Sequence, residues 1–311
     1  MTTATMRTAT VRALRAAGLD PGDTGAIVGR ALEEDFRYGA DVTSAATAPA
    51  GARVTGDVVA RQAGVIAGLP VALVVADLVA AAGPAEHARP APGADESITV
   101  ELLRADGDRI EAGDAVLRVS GLAATVLGAE RTLLNFLTHL SGIASATRRW
   151  VDAVAGTGAA IRDTRKTTPG LRLLEKYAVR CGGGVNHRMG LGDAALIKDN
   201  HVAAAGGVAK AIAAVRAFAP DSPLEVECDT LAEVRESLGA GARFILLDNM
   251  SLDALRAAVA EARRYPGVRL EASGGLQLAT ARDVAACGVD YLSVGALTHS
   301  SPALDLGLDF A

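Results

Sequence analysis

Short apolar runs alternate with segments of helical periodicity along the second half of the chain. Each run has the length of a buried strand, and together they occupy 159–164, 194–199, 224–229, 243–249, 268–273 and 290–295. Helical periodicity fills the intervals 169–180, 203–218, 230–239, 251–264 and 277–287. Repeated strand–helix units predict a parallel sheet with right-handed crossovers. Because no GxGxxG sequence opens any of these helices, the pattern favours a TIM-like β/α barrel with fewer than eight clear units over a dinucleotide-binding sheet.

The first half of the chain mixes helices with β-structure. Residues 1–19 predict a surface helix with Leu14 and Leu19 on its apolar side, and another helix is expected from about Pro70. Pro, Ala and Gly predict a loop over residues 84–97.

Residues 98–121 predict β-structure with Gly-Asp turns at 107–108 and 113–114. From Glu130 a long helix is expected, because leucines recur at helical spacing through residue 140.

Composition narrows the class of protein. The chain has 311 residues, 50% of them hydrophobic and 22% charged, which is typical of a globular enzyme-sized protein. Its net charge of −5 and its 3% aromatic content argue against a nucleic-acid partner. The apolar stretch 64–76 is too short to span a bilayer, so we expect no membrane partner. The three cysteines form no CxxC pair, which favours a reducing compartment, and we expect the cytoplasm.

Polar residues end each predicted strand of the barrel. Since the carboxyl ends of barrel strands meet at one mouth, these residues are candidates for a shared site. The residues are Arg162 to Lys166 after the first strand, then Lys198, Glu227, Asp248, Ser273 and Gly295.

Residues 161–190 concentrate positive charge. They contain seven basic and two acidic residues in a chain that is acidic as a whole. Arginine and lysine at a barrel mouth suit an anionic ligand that carries carboxylates or phosphates. The loop CGGGVNHR is expected to bring His187 and Arg188 to that ligand, whereas Arg172, Lys176 and Arg180 predict a solvated helix face.

Two further patterns indicate a phosphate and its sugar. Glycines after the fifth and sixth strands, in 273–275 and 295–299, let main-chain N–H groups approach an oxyanion. Glu227 and Asp248 suit a sugar hydroxyl clamp, a metal–phosphate site, or stabilisation of a developing cation. Glu225 shares a face with Glu227 under strand alternation, and we interpret it as an ion-paired residue behind the site.

These residues resemble a known family. The segments EDFRYGADVTS, ERTLLNFLTHLSGIAS, RDTRKTTPGLRLLEKYAVRCGGGVNHRMGLGDAALIKDNH, LEVECD, ILLDN and EASGGL are similar to quinolinate phosphoribosyltransferases. The resemblance covers nearly the whole chain from about residue 20, and DTRKTTPGLR and NHRMGL are its most specific motifs.

The resemblance implies a two-domain fold and a homodimer. Residues 1–130 are expected to form an N-terminal α/β open-sandwich domain, and 131–299 an incomplete α/β barrel that carries the catalytic site. Residues 300–311 would return to the first domain as a tail. The homodimer would have shared active sites, alone or as the unit of a larger oligomer.

The resemblance also assigns roles to residues by position. The expected quinolinate ligands are Thr164, Arg165, His187, Arg188, Lys198 and, from the other subunit, Arg131. Phosphoribosyl pyrophosphate (PRPP) and its phosphates would be bound by Lys166, Ser273, Gly274, Gly275, Val294, Gly295, Ala296 and His299. Lys166, Glu227 and Asp248 would be catalytic, and the two acids would hold Mg²⁺ through water or through PRPP, with no organic cofactor.

The implied activity is phosphoribosyl transfer from PRPP to quinolinate with decarboxylation, which gives nicotinate mononucleotide for NAD biosynthesis. One alternative is a phosphoribosyltransferase for another acidic heterocycle. A second is a Schiff-base aldolase with Lys198 as nucleophile, which would require a desolvated lysine with a lowered pKa.

Overall fold

The computed structural model describes residues 6–82 and 97–310. The expected loop at 84–97 therefore lies almost entirely outside the described residues. From the N-terminus to the long central helix, the elements are α1 (Thr8–Ala16), α2 (Pro21–Phe36), α3 (Val42–Thr47), β1 (Arg53–Ala60), β2 (Gly64–Val65), α4 (Leu69–Ala82), β3 (Thr99–Leu102), β4 (Arg109–Ile110), β5 (Ala115–Leu122) and α5 (Ala123–Ala153). The remaining elements are β6 (Ala160–Arg162), α6 (Arg172–Cys181), β7 (Ala195–Ile197), α7 (Asp199–Ala205), α8 (Val208–Phe218), β8 (Leu224–Cys228), α9 (Leu231–Gly239), β9 (Phe244–Asp248), α10 (Leu252–Ala262), β10 (Arg269–Ser273), α11 (Ala281–Ala286), β11 (Tyr291–Ser293), α12 (Ala296–His299) and β12 (Leu306–Phe310).

These elements group into two compact units. The first contains the described residues within Met1–Ala146, Thr168–Gly182 and Ser301–Ala311, and the second contains Thr147–Thr167 and Gly183–Ser300. The units change between Ala146 and Thr147 and between Ser300 and Ser301, and the domain boundaries expected at residues 130 and 299 stay a prediction. In particular, α6 belongs to the first unit although barrel strands precede and follow it in sequence.

The first unit is built on an antiparallel sheet. Among the described residues, four strands lie in the order β12-β1-β5-β3. The terminal strand β12 pairs with β1, which brings the chain's last described residues back to this unit. Helices α1 and α2 pack on α4, in which residues 69–79 are buried apart from the partly exposed Leu73. Leu14 is buried on α1, as the apolar side of the predicted N-terminal helix requires, but the helix ends at Ala16 and the buried Leu19 lies beyond it.

The second unit has the topology of an incomplete barrel. Within the described residues, six parallel strands lie in the order β6-β11-β10-β9-β8-β7. Strands β7 to β11 each lie beside the next strand in sequence, and β11 pairs back with β6, as expected when such a sheet curls. Strands β6 and β7 are the two edges, so the barrel is open between them. All six strands fall within the apolar runs predicted from the sequence.

Strand alternation separates an apolar outer face from a charged interior. In β8, Val226 and Cys228 are buried on one face, while Glu225 and Glu227 share the other. Helices α8, α9 and α10 pack against the strands, which accounts for the burial of the apolar face. Inward-facing polar residues therefore collect at the carboxyl ends of the strands.

Two predicted barrel helices are interrupted. The helix expected over 203–218 is instead α7 followed by α8, because Gly206 and Gly207 adopt positive φ angles of 76° and 132° that a continuing helix does not allow. The helix expected over 277–287 begins as a 3₁₀ turn, Leu278–Thr280, before α11.

The expectation of a solvated face along α6 is wrong at its centre. Lys176 is completely buried, as is the neighbouring Glu175, whose carboxylate binds His139 Nε2 at 2.9 Å. Residues 174–179 are all buried, so this helix is covered around most of its circumference. Charged residues at helical spacing therefore do not indicate a solvent-exposed face here. Lys176 belongs to the first unit and does not line the barrel cavity.

Among the described residues, no single helix is long and apolar enough to span a membrane, although α7 and α8, bent by 88°, meet the length and composition criteria as a pair.

Candidate active site

A cavity of about 350 Å³ opens at the carboxyl ends of the barrel strands. Most residues expected at the site line this cavity, and all of them belong to the second unit. The predicted residues in its wall are Thr164, Arg165, Lys166, His187, Arg188, Lys198, Glu227, Asp248 and Ser273. The wall also contains Leu196, Leu246, Glu271 and Ser293, which the sequence analysis did not assign.

On the basic side of the cavity, a buried arginine N–H lacks an acceptor within the described part of the chain. Arg165 Nε is buried and has no hydrogen-bond partner among the described residues. Burial and the nearby Arg165 guanidinium together lower the pKa of Arg188. Holding two guanidinium groups together is costly when one of them also has a buried N–H without an acceptor. An anion bound between them would remove both costs. The cavity is therefore built for an anionic ligand.

Side chains anchor the main chain around Lys166. Its N–H donates to Thr164 Oγ1 at 3.0 Å, and its carbonyl accepts from the Thr298 hydroxyl at 2.8 Å. Because Thr298 lies in α12, the strand end after β6 is tied to the loop after β11. This contact places the basic strand end beside the glycine loop expected to bind phosphate.

Acidic residues form the opposite side of the cavity. Glu227 pairs with the Lys198 ammonium, and Asp248 accepts from the Asn249 amide at 2.7 Å. Burial, followed by the carboxylates of Asp248 and Glu233, raises the pKa of Asp229 just beyond β8. Carboxylates thus converge where the ends of β8 and β9 meet.

Glycine is required at the end of β10. Gly274 has a φ of 81°, and a Cβ there would collide with the Asn249 amide and lie 2.7 Å from Asp248 Oδ1. After β11, a Cβ on Gly295 would lie 3.0 Å from Lys166 Cδ. Both glycine loops therefore run close to polar side chains at the strand ends.

The remaining residues expected at the phosphate are less directly placed. Val294 is buried and its N–H donates to the Arg162 carbonyl at 2.9 Å, so that N–H is already used within the sheet. His299 Nδ1 bonds the Ser300 hydroxyl at 2.6 Å. Of the residues expected to bind PRPP and its phosphates, Lys166 and Ser273 line the cavity wall. The others do not line it: Gly274, Gly275, Val294, Gly295, Ala296 and His299.

A second set of charges lies at the floor of the cavity and below it, and its members on the strands stand two residues before the strand-end residues. We call Arg162, Glu225, Glu271, His187 and Ser293 the lower layer. Arg162 and Ser293 both bond Glu271, and His187 Nε2 lies 3.1 Å from Glu225 and 3.6 Å from Glu271. Burial raises the pKa of Glu225 to about 7, and burial followed by the Glu225 carboxyl raises that of Glu271.

The lower layer contains the residue types that bind metal ions, but an arginine already pairs with its carboxylates. Candidate ligand atoms of His187, Glu225 and Glu271 lie within 4.8 Å of one another. Arg162 already supplies the cation, however, and its guanidinium is stacked 5.0 Å above Phe244 and 4.8 Å above Tyr291. The interpretation of Glu225 as an ion-paired residue behind the site agrees with this geometry. Glu271 was missed, although it shares a strand face with Ser273 and alternation alone could have found it.

Arg131 is the one expected quinolinate ligand outside the second unit. It lies on α5 in the first unit, is exposed, and does not line the cavity.

Comparison with known proteins identifies the family to which the chain belongs. The family model of the quinolinate phosphoribosyl transferase N-terminal domain matches residues 41–141, and that of the C-terminal domain matches 143–309. The chain belongs to the quinolinate phosphoribosyltransferase family. It is 54% identical over 281 residues to the nicotinate-nucleotide pyrophosphorylase (carboxylating) of Mycobacterium leprae, which covers 90% of this chain and 94% of that protein.

Other members of the quinolinate phosphoribosyltransferase family give the same picture. A probable nicotinate-nucleotide pyrophosphorylase (carboxylating) of Synechocystis is 41% identical over 252 residues, or 80% of each chain. The solved nicotinate-nucleotide pyrophosphorylase of Francisella tularensis superposes with a TM-score of 0.83 at 35% identity, covering 93% of this chain and 96% of that one. The resemblance stated from the sequence and the expected fold class, an α/β barrel with a smaller N-terminal domain, are both confirmed.

The aldolase alternative conflicts with the environment of Lys198. A Schiff-base nucleophile must be a neutral amine in a dry pocket. Here the ammonium is ion-paired with Glu227, and 44% of the side chain is exposed. An exposed, ion-paired lysine suits an anion ligand and not a desolvated nucleophile.

Proposed function

We propose that this chain catalyses phosphoribosyl transfer from PRPP to quinolinate with loss of CO₂, giving nicotinate mononucleotide and pyrophosphate for NAD biosynthesis. It is an enzyme of the pentosyltransferase class. One structural observation supports this most directly: Arg165 Nε is buried without a partner among the described residues, beside Arg188 and in a cavity that also contains Lys198. Quinolinate carries two carboxylates on adjacent ring carbons and would neutralise this cluster.

The acidic side of the cavity suits the sugar. When pyrophosphate leaves C1 of the ribose with the bonding electron pair, the ring becomes oxocarbenium-like. Glu227 and Asp248 are positioned to stabilise that positive charge or to accept from the ribose hydroxyls. Lys166, close to the glycine loop after β11, would bind the leaving pyrophosphate as its charge increases.

Decarboxylation follows from the product of the first step. The pyridine nitrogen of quinolinate attacks C1 and becomes cationic. The C–C bond to the adjacent carboxylate then breaks, its electron pair stays on the ring carbon beside the cationic nitrogen, and a proton adds there as CO₂ departs. The cationic nitrogen stabilises that electron pair, so this chemistry requires no organic cofactor.

Magnesium fits the acidic edge of the cavity. Glu227 and Asp248 are oxygen donors on neighbouring strands, the ligand type that Mg²⁺ prefers, and further carboxylates converge on Asp229 beside them. We propose that Glu227 and Asp248 hold Mg²⁺ through water or through PRPP oxygens. The ion would neutralise charge on the pyrophosphate.

We also propose a homodimer with shared active sites, in which Arg131 serves the neighbouring subunit's quinolinate pocket. The test is complementation between Arg131→Ala and Lys198→Ala, each nearly inactive alone. A mixed dimer would have one site with both lesions and one with neither, so random exchange should restore up to about a quarter of wild-type activity. No recovery, with folded variants and exchange confirmed by mass spectrometry, would place Arg131 outside the neighbour's site.

The cytoplasm is the proposed location, in keeping with three cysteines that are all free.

The function is tested by incubating the protein with quinolinate, PRPP and Mg²⁺ and measuring CO₂ and nicotinate mononucleotide. Nicotinate, which has one carboxylate fewer, is the matched substrate control. We expect its kcat/KM to be lower by a factor of about 10³ or more, because it leaves buried donors unpaired. Equal efficiency with nicotinate would contradict the assignment of the basic cluster to two carboxylates, and turnover of neither would contradict the function.

A further inference from the structure

His187 uses both ring nitrogens within the protein. Its Nδ1 lies 2.7 Å from the main-chain N of Arg188, which donates to it. An Nδ1 that accepts a hydrogen bond carries no hydrogen, so the ring hydrogen must be on Nε2. Nε2 in turn lies 3.1 Å from Glu225 Oε2, a buried acceptor. This arrangement holds the imidazole as the neutral Nε2–H tautomer.

The acceptors of Nε2–H are themselves held in place. Glu225 and Glu271 project inward from β8 and β10, and Arg162 from β6 lies against both carboxylates. Ser293 from β11 donates to Glu271. The ring of His187 is therefore attached to the wall of the barrel, and only 8% of the side chain is exposed.

The loop that carries His187 is attached at consecutive positions. Asp163, completely buried after β6, accepts from the Asn186 amide at 2.5 Å and from the His187 N–H at 2.8 Å. The next N–H, that of Arg188, is the one bound by the imidazole. The Arg188 guanidinium donates to the Ala194 carbonyl at 3.0 Å.

Such anchoring answers an electrostatic requirement. Repulsion from Arg165 contributes to the lowered pKa of Arg188, so without a ligand the two cations push the loop away from the cavity. A hydrogen bond to the Arg188 main chain opposes that displacement without adding a third positive charge. An imidazolium could not serve here, because both of its nitrogens are donors.

We propose that His187 is a positioning residue for Arg188 and not a cationic ligand of the substrate; this rests on the proposed function, since Arg188 is taken to bind a quinolinate carboxylate. The neutral imidazole clamps the Arg188 main chain to the lower layer and so keeps the guanidinium in the cavity. A similar bond joins the Lys198 N–H to His201 Nδ1 at 3.0 Å, which makes His201 a matched comparison.

The first test is the tautomer, read by NMR of protein labelled with ¹⁵N at its five histidines. The His187 signals are assigned by their loss in His187→Asn. We expect the shift pattern of the neutral Nε2–H form in the free protein and no change on adding quinolinate. An imidazolium, an Nδ1–H form, or a change of tautomer with quinolinate would overturn the proposal. The tautomer in the free protein does not depend on the proposed function being correct, and only the comparison with quinolinate added does.

The second test is a double-mutant cycle on the Kd for quinolinate, measured by calorimetry with folding checked by circular dichroism. His187→Ala should weaken binding about tenfold, and His187→Asn, whose Oδ1 can still accept from the Arg188 N–H, about threefold or less. In an Arg188→Ala background, His187→Ala should cost less than about twofold, whereas His201→Ala should cost the same factor in both backgrounds. The proposal is wrong if the losses from His187→Ala and Arg188→Ala multiply, or if His187→Asn is as poor as His187→Ala.

Discussion

Two charged layers lie inside the same barrel and differ in whether their buried charges face an opposite charge. The lower layer joins Arg162 to Glu225 and Glu271 in one connected cluster, although Glu225 Oε1 has no hydrogen-bond partner among the described residues. At the strand ends that line the rest of the cavity, which we call the upper layer, burial and the nearby Arg165 guanidinium lower the pKa of Arg188. Arg165 Nε there has no partner among the described residues.

The comparison teaches where to look for a ligand in a charged barrel interior. Buried charges that face an opposite charge within the protein stabilise and position, whereas like charges that lie together without a counter-ion indicate what the cavity must bind. The layers are only two residues apart along each strand, so residue type alone does not separate them. If the layers differ in kind, substitutions in the upper layer should mainly reduce activity and those in the lower layer should mainly reduce stability.

Arg165→Ala should separate activity from stability most sharply. We expect kcat/KM for quinolinate to fall about a thousandfold, because a buried charge pair with the substrate is lost, while the free energy of unfolding changes by less than about 1 kcal/mol. Steady-state kinetics and urea unfolding measure both. Arg264→Ala, a surface arginine with 73% of its side chain exposed, is the control and should alter neither. A stability loss as large as the activity loss would remove the distinction between the layers.

Arg162→Met should do the reverse. Removing the guanidinium leaves Glu225 and Glu271 buried without their cation, so we expect a loss of about 3–5 kcal/mol in the free energy of unfolding. Arg269→Met is the control, because that arginine is exposed and donates only to the Tyr291 hydroxyl at 2.7 Å among the contacts described; it should cost about 1 kcal/mol or less. Equal losses in the two variants would show that the lower layer is not stabilised by its internal charge balance.

The pH dependence of stability should come from the lower layer. The pKa of Glu225 is raised to about 7 in the folded protein, so the folded state holds its proton more tightly than the unfolded state does. Stability from this group is therefore complete below the unfolded pKa near 4.5 and decreases as pH rises towards 7, by roughly 3 kcal/mol. Unfolding measured between pH 5 and 8 should show this decline in the wild type and much less of it in Glu225→Gln. A parallel decline in both would assign the dependence to other groups.

Lys166→Ala should lower kcat by about a hundredfold and leave quinolinate affinity within about threefold. Lys166 is exposed at the cavity and lies beside the loop after β11, so its contribution should increase only as pyrophosphate leaves. Calorimetry and single-turnover kinetics separate the two effects, with Lys210→Ala on the exposed side of α8 as control. Lost quinolinate affinity with unchanged kcat would reverse the roles assigned to Arg165 and Lys166.

Local patterns predicted the barrel strands well and the helices less well. Strand positions follow from apolar runs that must be buried on a helix-covered face, and all six lie where the runs are. Helix limits depend on local conformation: two adjacent glycines divide 203–218, and α5 begins at Ala123, seven residues before the expected Glu130. The burial of Lys176 was not predictable, because its helix contacts residues distant in sequence: Glu175 binds His139, and Tyr177 donates to Asp106.

The residue types of the candidate site were predictable from the sequence, but their hydrogen-bond and ion-pair partners were predictable only in part. Strand-end chemistry and the family resemblance placed Arg165, Arg188 and Lys198 at one mouth, and they do line one cavity. Neither the strand-end chemistry nor the resemblance indicated that His187 binds the Arg188 main chain. The hydrogen-bond partner of a ring nitrogen depends on the loop conformation to within about an ångström.

By itself, the sequence determined that charged residues would stand at the carboxyl ends of buried parallel strands, because alternation and the strand–helix repeat are local properties. Tertiary structure alone decided which charges neutralise one another. Glu225 and Glu271 come from strands separated by β9 in the sheet, and curling of the sheet brings both of them to Arg162. Coulomb energy depends on the distance between charges and on their burial. Only the folded structure sets these two quantities, for Arg162 beneath the cavity and for Arg165 within it.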